Sequence, residues 1–534
     1  MGVSLGVGFY LPSPTADGVY PYLIPVEGGG PPLQTLNLIG RTGTGNWGPL
    51  NTPVFYNNLS QAIYLWGADA TLLNAAPTGA PNNSSLVGAT QYAAPEATSF
   101  CDVRVAHSDA AFATGSILDG SAAAIANLSA FYTGTDGNNI TVTVALANGT
   151  NYVAGPCQVQ VTVQMLNRAT WVSPIFSAGA SGYVKPTFLA NLQAAILGAT
   201  GSVPCPYITY VSAGSSAIHP AATANTFSGG NSGIDVTEAD LIGSPLTGDN
   251  TGIYALQGTG INLLHVVGLT TMSYASVLAA FAQANTCFAF ISLPSGTSTA
   301  TGITSKNANN ASSPWLSVTN DFTLATDVVD ATGSQYEDPS VKIAGIVSQL
   351  SPYQDPSNKP YIGCQNLIGT IRTGTPYSQA ELGLLQAAGI LIINRPMNRG
   401  NFFGLPHGMT SDGITPIADT RMLNFIANAV TAILGQFVGE SQSPPPAVGQ
   451  PDNDVTRNNA RNAVAAFLEG LANFNAPQIA TWEQIMDGTN NTQSSVSQGY
   501  LYDRIEVTTL AGIKFILVGL QIGQTVQITT PGNT

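Results

Sequence analysis

Ile368–Gly439 reads IGTIRTGTPYSQAELGLLQAAGILIINRPMNRGNFFGLPHGMTSDGITPIADTRMLNFIANAVTAILGQFVG, and the rest of the chain is read outward from it. Ser378 with Glu381 three residues on has the form of a capping box, in which each residue satisfies a free backbone N–H of the other. Leu382, Leu384 and Leu385 then give the apolar face of a short helix, and Gly389 stops it. Ile390–Ile393 has the pattern of a short buried strand. Residues 395–413 are polar and punctuated by Gly and Pro, so they read as loop. A longer helix is expected from Asp419, with Leu423, Ile426, Ala427, Val430, Ile433 and Phe437 at helical spacing. The stretch is thus helix, strand, long loop, helix.

This order resembles the contractile tail sheath proteins of bacteriophages and phage-like particles. Val341–Gly345 (VKIAG) and then Lys359 lead into Ile368 in an order similar to that family's. The segment Phe403–Ser411 (FGLPHGMTS) is similar to the family's Gly-centred Arg-Thr-Ser segment, and Arg421 opens a helix containing Asn424, Phe425 and Ile426. Where relatives carry Trp-Gly-Ala-Arg-Thr, this chain has Phe403-Gly404, an interruption, then Thr410-Ser411. The resemblance lies in the ordered set of elements, from about Gly2 to Gln527, rather than in any one motif.

A chain of 534 residues is too long for one core, and two to four domains are expected. Charged residues make up 8%, about a third of the usual ~25%, so Ser, Thr, Asn, Gln and Gly must cover the surface. Such a surface suits wide subunit contacts, because few charges need desolvating. The net charge is −14 with no Lys/Arg cluster, which argues against direct nucleic-acid binding, since phosphates need a basic footprint. Residues 1–365 hold 7 basic and 18 acidic residues, and 366–534 hold 8 and 11, so the C-terminal part is nearer balance.

Cys101, Cys157, Cys205, Cys287 and Cys364 are odd in number and widely spaced, with no CxxC pair. They read as buried free thiols, with a Cys157–Cys205 bridge left open. Met1–Tyr10 has neither a basic start nor a long apolar run, so no signal segment is expected, and Asn-x-Ser/Thr triplets at Asn127, Asn139 and Asn148 then carry little meaning. No run of about 20 apolar residues predicts a membrane span.

Gly2–Tyr10 (GVSLGVGFY) reads as a lone terminal strand, paired either with its own domain or with another chain. Gln34–Ile39 is a strand entering a glycine-rich turn. There Gly43, Gly45 and Gly48 match GxGxxG, but Pro49 and Pro53 follow where a dinucleotide site needs a helix N-terminus. Asn57–Trp66 is a short helix, and Phe100–Ala106 a strand. From about Gly115 the texture changes. Asp136-Gly137 signals a hairpin turn, and Ile140–Leu146 and Gln158–Met165 alternate as antiparallel strands. Phe188–Leu197 is a helix and Ile208–Val211 a strand. Asn262–Val267, Ser273–Gln283 and Cys287–Leu293 give strand, helix, strand, an α/β unit with a parallel pair. Residues 295–313 are Ser/Thr/Asn-rich and read as a surface loop. Residues 440–453, with three consecutive prolines, read as a linker. Val455–Phe474 is amphipathic through Ala460, Val464, Phe467, Leu468, Leu471 and Phe474, and Gly499–Leu510 and Lys514–Gln527 are strands.

No catalytic, cofactor-binding or metal-binding residue is assigned. His107, His219, His265 and His407 lie outside any metal-ligand spacing, and His265 sits in an apolar strand as a core residue would. Ser411, His407 and Asp412 are the residue types of a triad, but no GxSxG elbow accompanies them. Asp452 and Asp454 begin like a calcium loop, yet its Gly and distal Glu are missing. Arg457 and Arg461, four apart, share a helix face, which is either a solvated pair or a contact surface.

The resemblance implies α/β and α+β multidomain architecture. An N-terminal arm would occupy 1–25. An outer α/β domain (26–115 and 235–365) would carry an inserted antiparallel β-domain at 116–234. A mixed-sheet inner domain (366–534) would be completed by neighbours' terminal strands. It also implies a non-enzymatic structural subunit without cofactor. Its arms, Val3, Leu5, Val7 and Phe9 at one end and Phe515, Leu517 and Val518 at the other, would join neighbouring copies. Arg457 and Arg461 would face the tail tube. The implied partners are further copies in a helix of stacked six-fold rings, the tube protein, and baseplate and terminator proteins, on a virion tail assembled in the host cytoplasm. A secreted or surface β-rich adhesin is the alternative, which a signal segment and repeated β-domains would have favoured.

Overall fold

The computed structural model describes residues 37–67, 85–93, 97, 99–147, 150–166, 168–199, 203–233, 236–245, 250–326, 334–364, 367–372, 375–395, 402–445 and 452–510. They form two compact units, 1–432 and 433–534.

The first unit opens with strands β1 (Ile39–Gly43) and β2 (Pro53–Tyr56), helices α1 (Leu59–Trp66) and α2 (Leu86–Tyr92), and strand β3 (Phe100–Arg104). The strand expected at Gln34–Ile39 is placed later: only its last residue begins β1, and 34–36 lie outside the described residues. The chain then enters two antiparallel sheets. Their elements are β4 (Phe112–Leu118), β5 (Ala124–Thr133), β6 (Thr141–Leu146), β7 (Cys157–Gln164), β8 (Trp171–Val172), β9 (Phe176–Gly179), helix α3 (Lys185–Ile196), β10 (Ile208–Ala213) and β11 (Asn225–Thr226). One sheet has the order β10-β5-β4 and the other β11-β6-β7-β8, with β9 also on β7. Strict alternation in β7, CQVQVTVQ, turns Cys157, Val159, Val161 and Val163 inward against Phe188 and Leu192 of α3. Asp136-Gly137 does not close a hairpin. It lies in a 3-10 turn at Thr135–Asn139, because the chain is there crossing from one sheet to the other.

After helix α4 (Glu238–Ile242) come β12 (Leu263–Val266), α5 (Ala275–Ala284), β13 (Phe288–Ser292), α6 (Thr299–Ala308) and β14 (Leu316–Thr319). These strands are near-continuous apolar runs, as a parallel sheet covered on both faces requires. The seven-stranded sheet has the order β18-β14-β13-β12-β1-β3-β2, where β18 is Ile390–Leu391, and every pair is parallel except β2 with β3. Alternate residues feed two cores. Ile39, Phe100, Leu263, Phe288 and Phe290 pack on one face, and Cys101, Val103, Leu264, Ala289 and Ile291 on the other.

A smaller antiparallel sheet, β16-β15-β17, is made of β15 (Thr323–Thr326), β16 (Ser334–Glu337) and β17 (Leu367–Thr370). Helix α7 (Pro339–Ser348) is buried along its whole length, and α8 (Gln379–Ala387) precedes β18. Leu385, Ile390 and Ile392 share the core of β12–β14, so the sheet runs through the division drawn at 365/366.

Helix α9 (Ile417–Gly435) begins two residues before Asp419. It buries Met422, Phe425 and Ile426, while Leu423, expected on the apolar face, is 55% exposed. The second unit holds α10 (Val455–Leu471), β19 (Ile479–Ile485), α11 (Gln493–Ser497) and β20 (Arg504–Thr509). Helix α10 turns Ala460, Val464, Leu468 and Leu471 inward, ends before Phe474, and leaves Phe474 exposed.

The 295–313 segment is a correction: it contains α6 rather than only loop. Ser298 caps that helix by accepting from the Thr301 N–H at 3.2 Å, and Gly302 and Lys306 are its buried face. All five cysteines are free and buried, which closes the Cys157–Cys205 alternative.

Candidate functional site

Several polar groups singled out in the sequence are consumed inside the fold. Arg41 makes a two-pronged ion pair with Asp102 at 2.9 Å on both prongs, and its guanidinium lies 4.3 Å from the centre of the Phe100 ring. This pair ties β1 to β3 in the middle of the sheet. In the glycine-rich turn, the Gly45 and Gly48 carbonyls accept from Arg104 at 2.8 and 2.7 Å, and α1 starts only at Leu59. The turn is therefore an arginine seat, not a phosphate cradle.

The turn also holds the β4–β11 region. Trp47 packs in that region's core, and the Asn46 side-chain oxygen accepts from Thr135 and Ser232 hydroxyls, both at 3.0 Å. Gly134 passes so close that a Cβ there would meet the Asn46 carbonyl oxygen at 1.9 Å, and its φ is +137°. Arg168 spans the junction over Trp47 and Tyr64, 5.3 and 5.1 Å from the ring centres, beside Asp136 at 3.7 Å.

His265 is buried and hydrogen-bonded through Nε2 to the Ser340 hydroxyl at 2.7 Å. His407 is buried too. Its Nε2–H donates to the Ile390 carbonyl at 3.0 Å, and Nδ1 accepts from the Met409 N–H at 3.4 Å. Burial pushes the imidazole down to about 4, so it is neutral in the folded protein near pH 7. Ser411 accepts from the Ser313 N–H at 2.9 Å and donates to the Ser313 carbonyl at 3.1 Å, while Asp412 accepts from Thr410 and Thr415. With both ring nitrogens engaged by backbone, His407 has no free position to take a proton from Ser411. These residues hold the loop instead. Arg421 donates to the Leu350 carbonyl at 2.8 Å, just past the C-terminal end of α7, where a cation is favoured.

The two arginines of α10 part company. Arg457 is fully buried, because it falls in the same stripe as Ala460, Val464 and Leu468. Its Nε lies 2.6 Å from Asp452, and its N–H donates to the helix cap Asp454 at 2.5 Å. Asp452 and Asp454 thus serve this arginine. Arg461 is half-buried and donates to Asn458 at 2.8 Å. Arg457 is not a surface contact, and only Arg461 of the expected pair reaches solvent. The 440–453 stretch is also less free than its prolines suggest: Ser441 and Ser443 carbonyls accept from Thr456 and Arg457 at 2.8 and 3.1 Å.

Strand β19, which the sequence reading missed, pairs antiparallel with β20 in a two-stranded sheet. Among the described residues neither strand has another partner, and both long edges are open. On β20 Ile505, Val507 and Thr509 are half-buried and alternate with exposed Arg504, Glu506 and Thr508. Val438, Val455, Phe474, Tyr500 and Tyr502 of this unit are exposed. A two-stranded sheet is marginal by itself in water, and open edges are templates for further strands. Val3, Leu5, Val7, Phe9, Phe515, Leu517 and Val518 lie outside the described residues. Among the described residues no group of three or more His, Cys, Asp or Glu is arranged to hold a metal ion, and no helix is long and apolar enough to cross a membrane.

Among the described residues the architecture is a doubly covered, mostly parallel sheet carrying an excursion of two antiparallel sheets, followed in the chain by a small unit with a two-stranded antiparallel sheet. Two of the solved structures similar to this chain carry the likeness over most of its length. One is a sheath tail protein of Listeria innocua, at TM-score 0.57 and 12% identity, over 90% of this chain and 96% of that one. The other is a sheath tail protein of Desulfitobacterium hafniense, at TM-score 0.53 and 12% identity, over 92% of this chain and 100% of that one. No family model and no curated protein matches the sequence. The chain has the fold of these sheath tail proteins, and it is mixed α/β with several sheets.

Proposed function

We propose that this chain is the structural subunit of a contractile tail sheath. The observation that carries the reading is the likeness to sheath tail proteins along nine-tenths of the chain. The long edges of β19–β20, unpaired among the described residues, supply the means of assembly. Terminal segments of neighbouring copies, Val3–Tyr10 and Phe515–Leu520, add to this sheet as strands, with backbone hydrogen bonds giving affinity. Contacts of this heterologous kind propagate as a helix and do not close, here as stacked six-fold rings. Arg461 faces a tail tube, and residues 116–234 are an insertion.

The work is mechanical. An extended sheath shortens and widens, and the arms keep copies joined while their bodies turn. Each additional 100 Å² of apolar contact contributes about 2.5 kcal/mol per subunit, so a modest gain summed over many subunits drives a tube through an envelope. Baseplate and terminator proteins bound the polymer, on a virion tail assembled in the host cytoplasm, and genome delivery follows. Neither catalysis nor a cofactor enters.

The test is sedimentation velocity on the full chain and on a chain lacking residues 1–10. The full chain is expected to form fast-sedimenting polymers, and the shortened chain a folded monomer. Polymers of equal size from both chains refute the role of the arm.

A further inference from the structure

Among the described residues there is a cavity that these roles do not use. It measures about 220 Å³ and lies beside β17, lined by Ile368, Thr370, Arg372, Tyr377, Arg395 and Phe403 among others. We propose that it receives a carboxylate side chain from a second copy of this chain, an inference that rests on the copies assembling as described above.

The charges of the molecule point there. The chain carries 15 basic and 29 acidic residues. Arg41, Arg104, Arg421, Arg457, Lys306 and Lys342 are buried and unavailable to a neighbour. Two copies therefore meet as mutually repelling anions unless one of the few surface cations is set opposite an acid. This cavity gathers two of them. Each guanidinium is steadied by an aromatic face: Arg372 lies 3.9 Å from the centre of the Tyr377 ring, and Arg395 lies 4.9 Å from that of Phe403. Arg372 is already paired with Glu381 at 3.2 Å. Arg395 is exposed and has no ion pair among the described residues.

The surroundings suit a protein partner rather than a free anion. Strand β17 is an outer strand of its sheet among the described residues, and Ile368 on it is 51% exposed. An incoming segment thus meets an apolar side chain and a strand edge together with the arginine fork. A planar guanidinium matches a carboxylate in two-pronged geometry, and excluding water around the pair strengthens it.

The experiment uses the Arg395→Lys chain, assembled from an equal mixture of ¹⁵N-labelled and unlabelled copies. The polymer is treated with a carbodiimide, which joins an amine to a carboxylate in direct contact, and digested for mass spectrometry. A mixed-isotope cross-link from position 395 to an Asp or Glu of the other copy is expected, absent from unassembled protein. In parallel, Arg395→Glu is expected to raise the critical concentration for assembly at least tenfold, as a separately readable effect on a surface residue. Polymers without the mixed cross-link, or Arg395→Glu assembling like the parent chain, overturn this inference and leave the sheath reading standing. A chain that forms no polymer at all overturns both.

Discussion

Replacing His407 by Gln removes a titrating group from the core while leaving an N–H to donate to the Ile390 carbonyl. In the folded chain burial holds this imidazole at about 4, and in the unfolded chain it returns to about 6.5. The folded value is depressed below the unfolded one. Between the two, the unfolded state binds the extra proton, so stability rises with pH across this window and falls as pH drops from 6.5 toward 4. At pH 7 the neutral imidazole costs almost nothing. At pH 4 the unfolded state is favoured by about 3 kcal/mol relative to a side chain that does not titrate. Carboxylates titrate in the same range, so the difference between parent and variant is the informative quantity. Urea unfolding followed by tryptophan fluorescence, at a concentration below assembly, reads mainly the right unit, because Trp47, Trp66, Trp171 and Trp315 lie within it and Trp482 alone lies in the other. The variant is expected to be less stable than the parent at pH 7, through its poorer fit. It should gain on the parent by about 3 kcal/mol between pH 7 and pH 4. Parallel pH profiles refute the buried, neutral assignment of His407.

Arg457→Met strands Asp452 and Asp454 beside an apolar side chain. It is expected to destabilise the second unit by about 3–5 kcal/mol, seen as early cleavage in limited proteolysis, whereas Arg461→Ala stays within about 0.5 kcal/mol. Gly134→Ala drives a methyl group into the Asn46 carbonyl and forces an L residue to a φ of +137°, so the β4–β11 region should lose its seat, with hydrogen exchange rising at Trp47 and Thr135. Ser378→Ala removes one half of the capping box on α8 and should cost about 0.5–2 kcal/mol in the same urea assay, while Gln379→Ala costs little.

The legible parts of the fold were those where one signal dominates. Leu263–Val266 and Phe288–Ser292 are continuous apolar runs, and only a sheet covered on both faces buries them. The capping box at Ser378 is local chemistry that the fold realises. What escaped has identifiable causes. Helix α6 is TATGITSKNA, whose polar side chains mask a helix held by its Ser298 cap and a narrow buried face of Gly302 and Lys306. Strand β19 has too weak an alternation to be seen without β20 beside it. Arg457 looked like half of a surface pair because spacing gives the face and not its direction. The direction is set by Asp452 and Asp454, which come from the chain before the helix.

The central claim is that copies of this chain build a sheath, and negative-stain electron microscopy of the purified protein across a concentration series tests it most directly. The account predicts hollow tubes or helical polymers wide enough to hold an inner tube. Single particles of one chain at every concentration, with sedimentation giving the mass of a monomer, would contradict it.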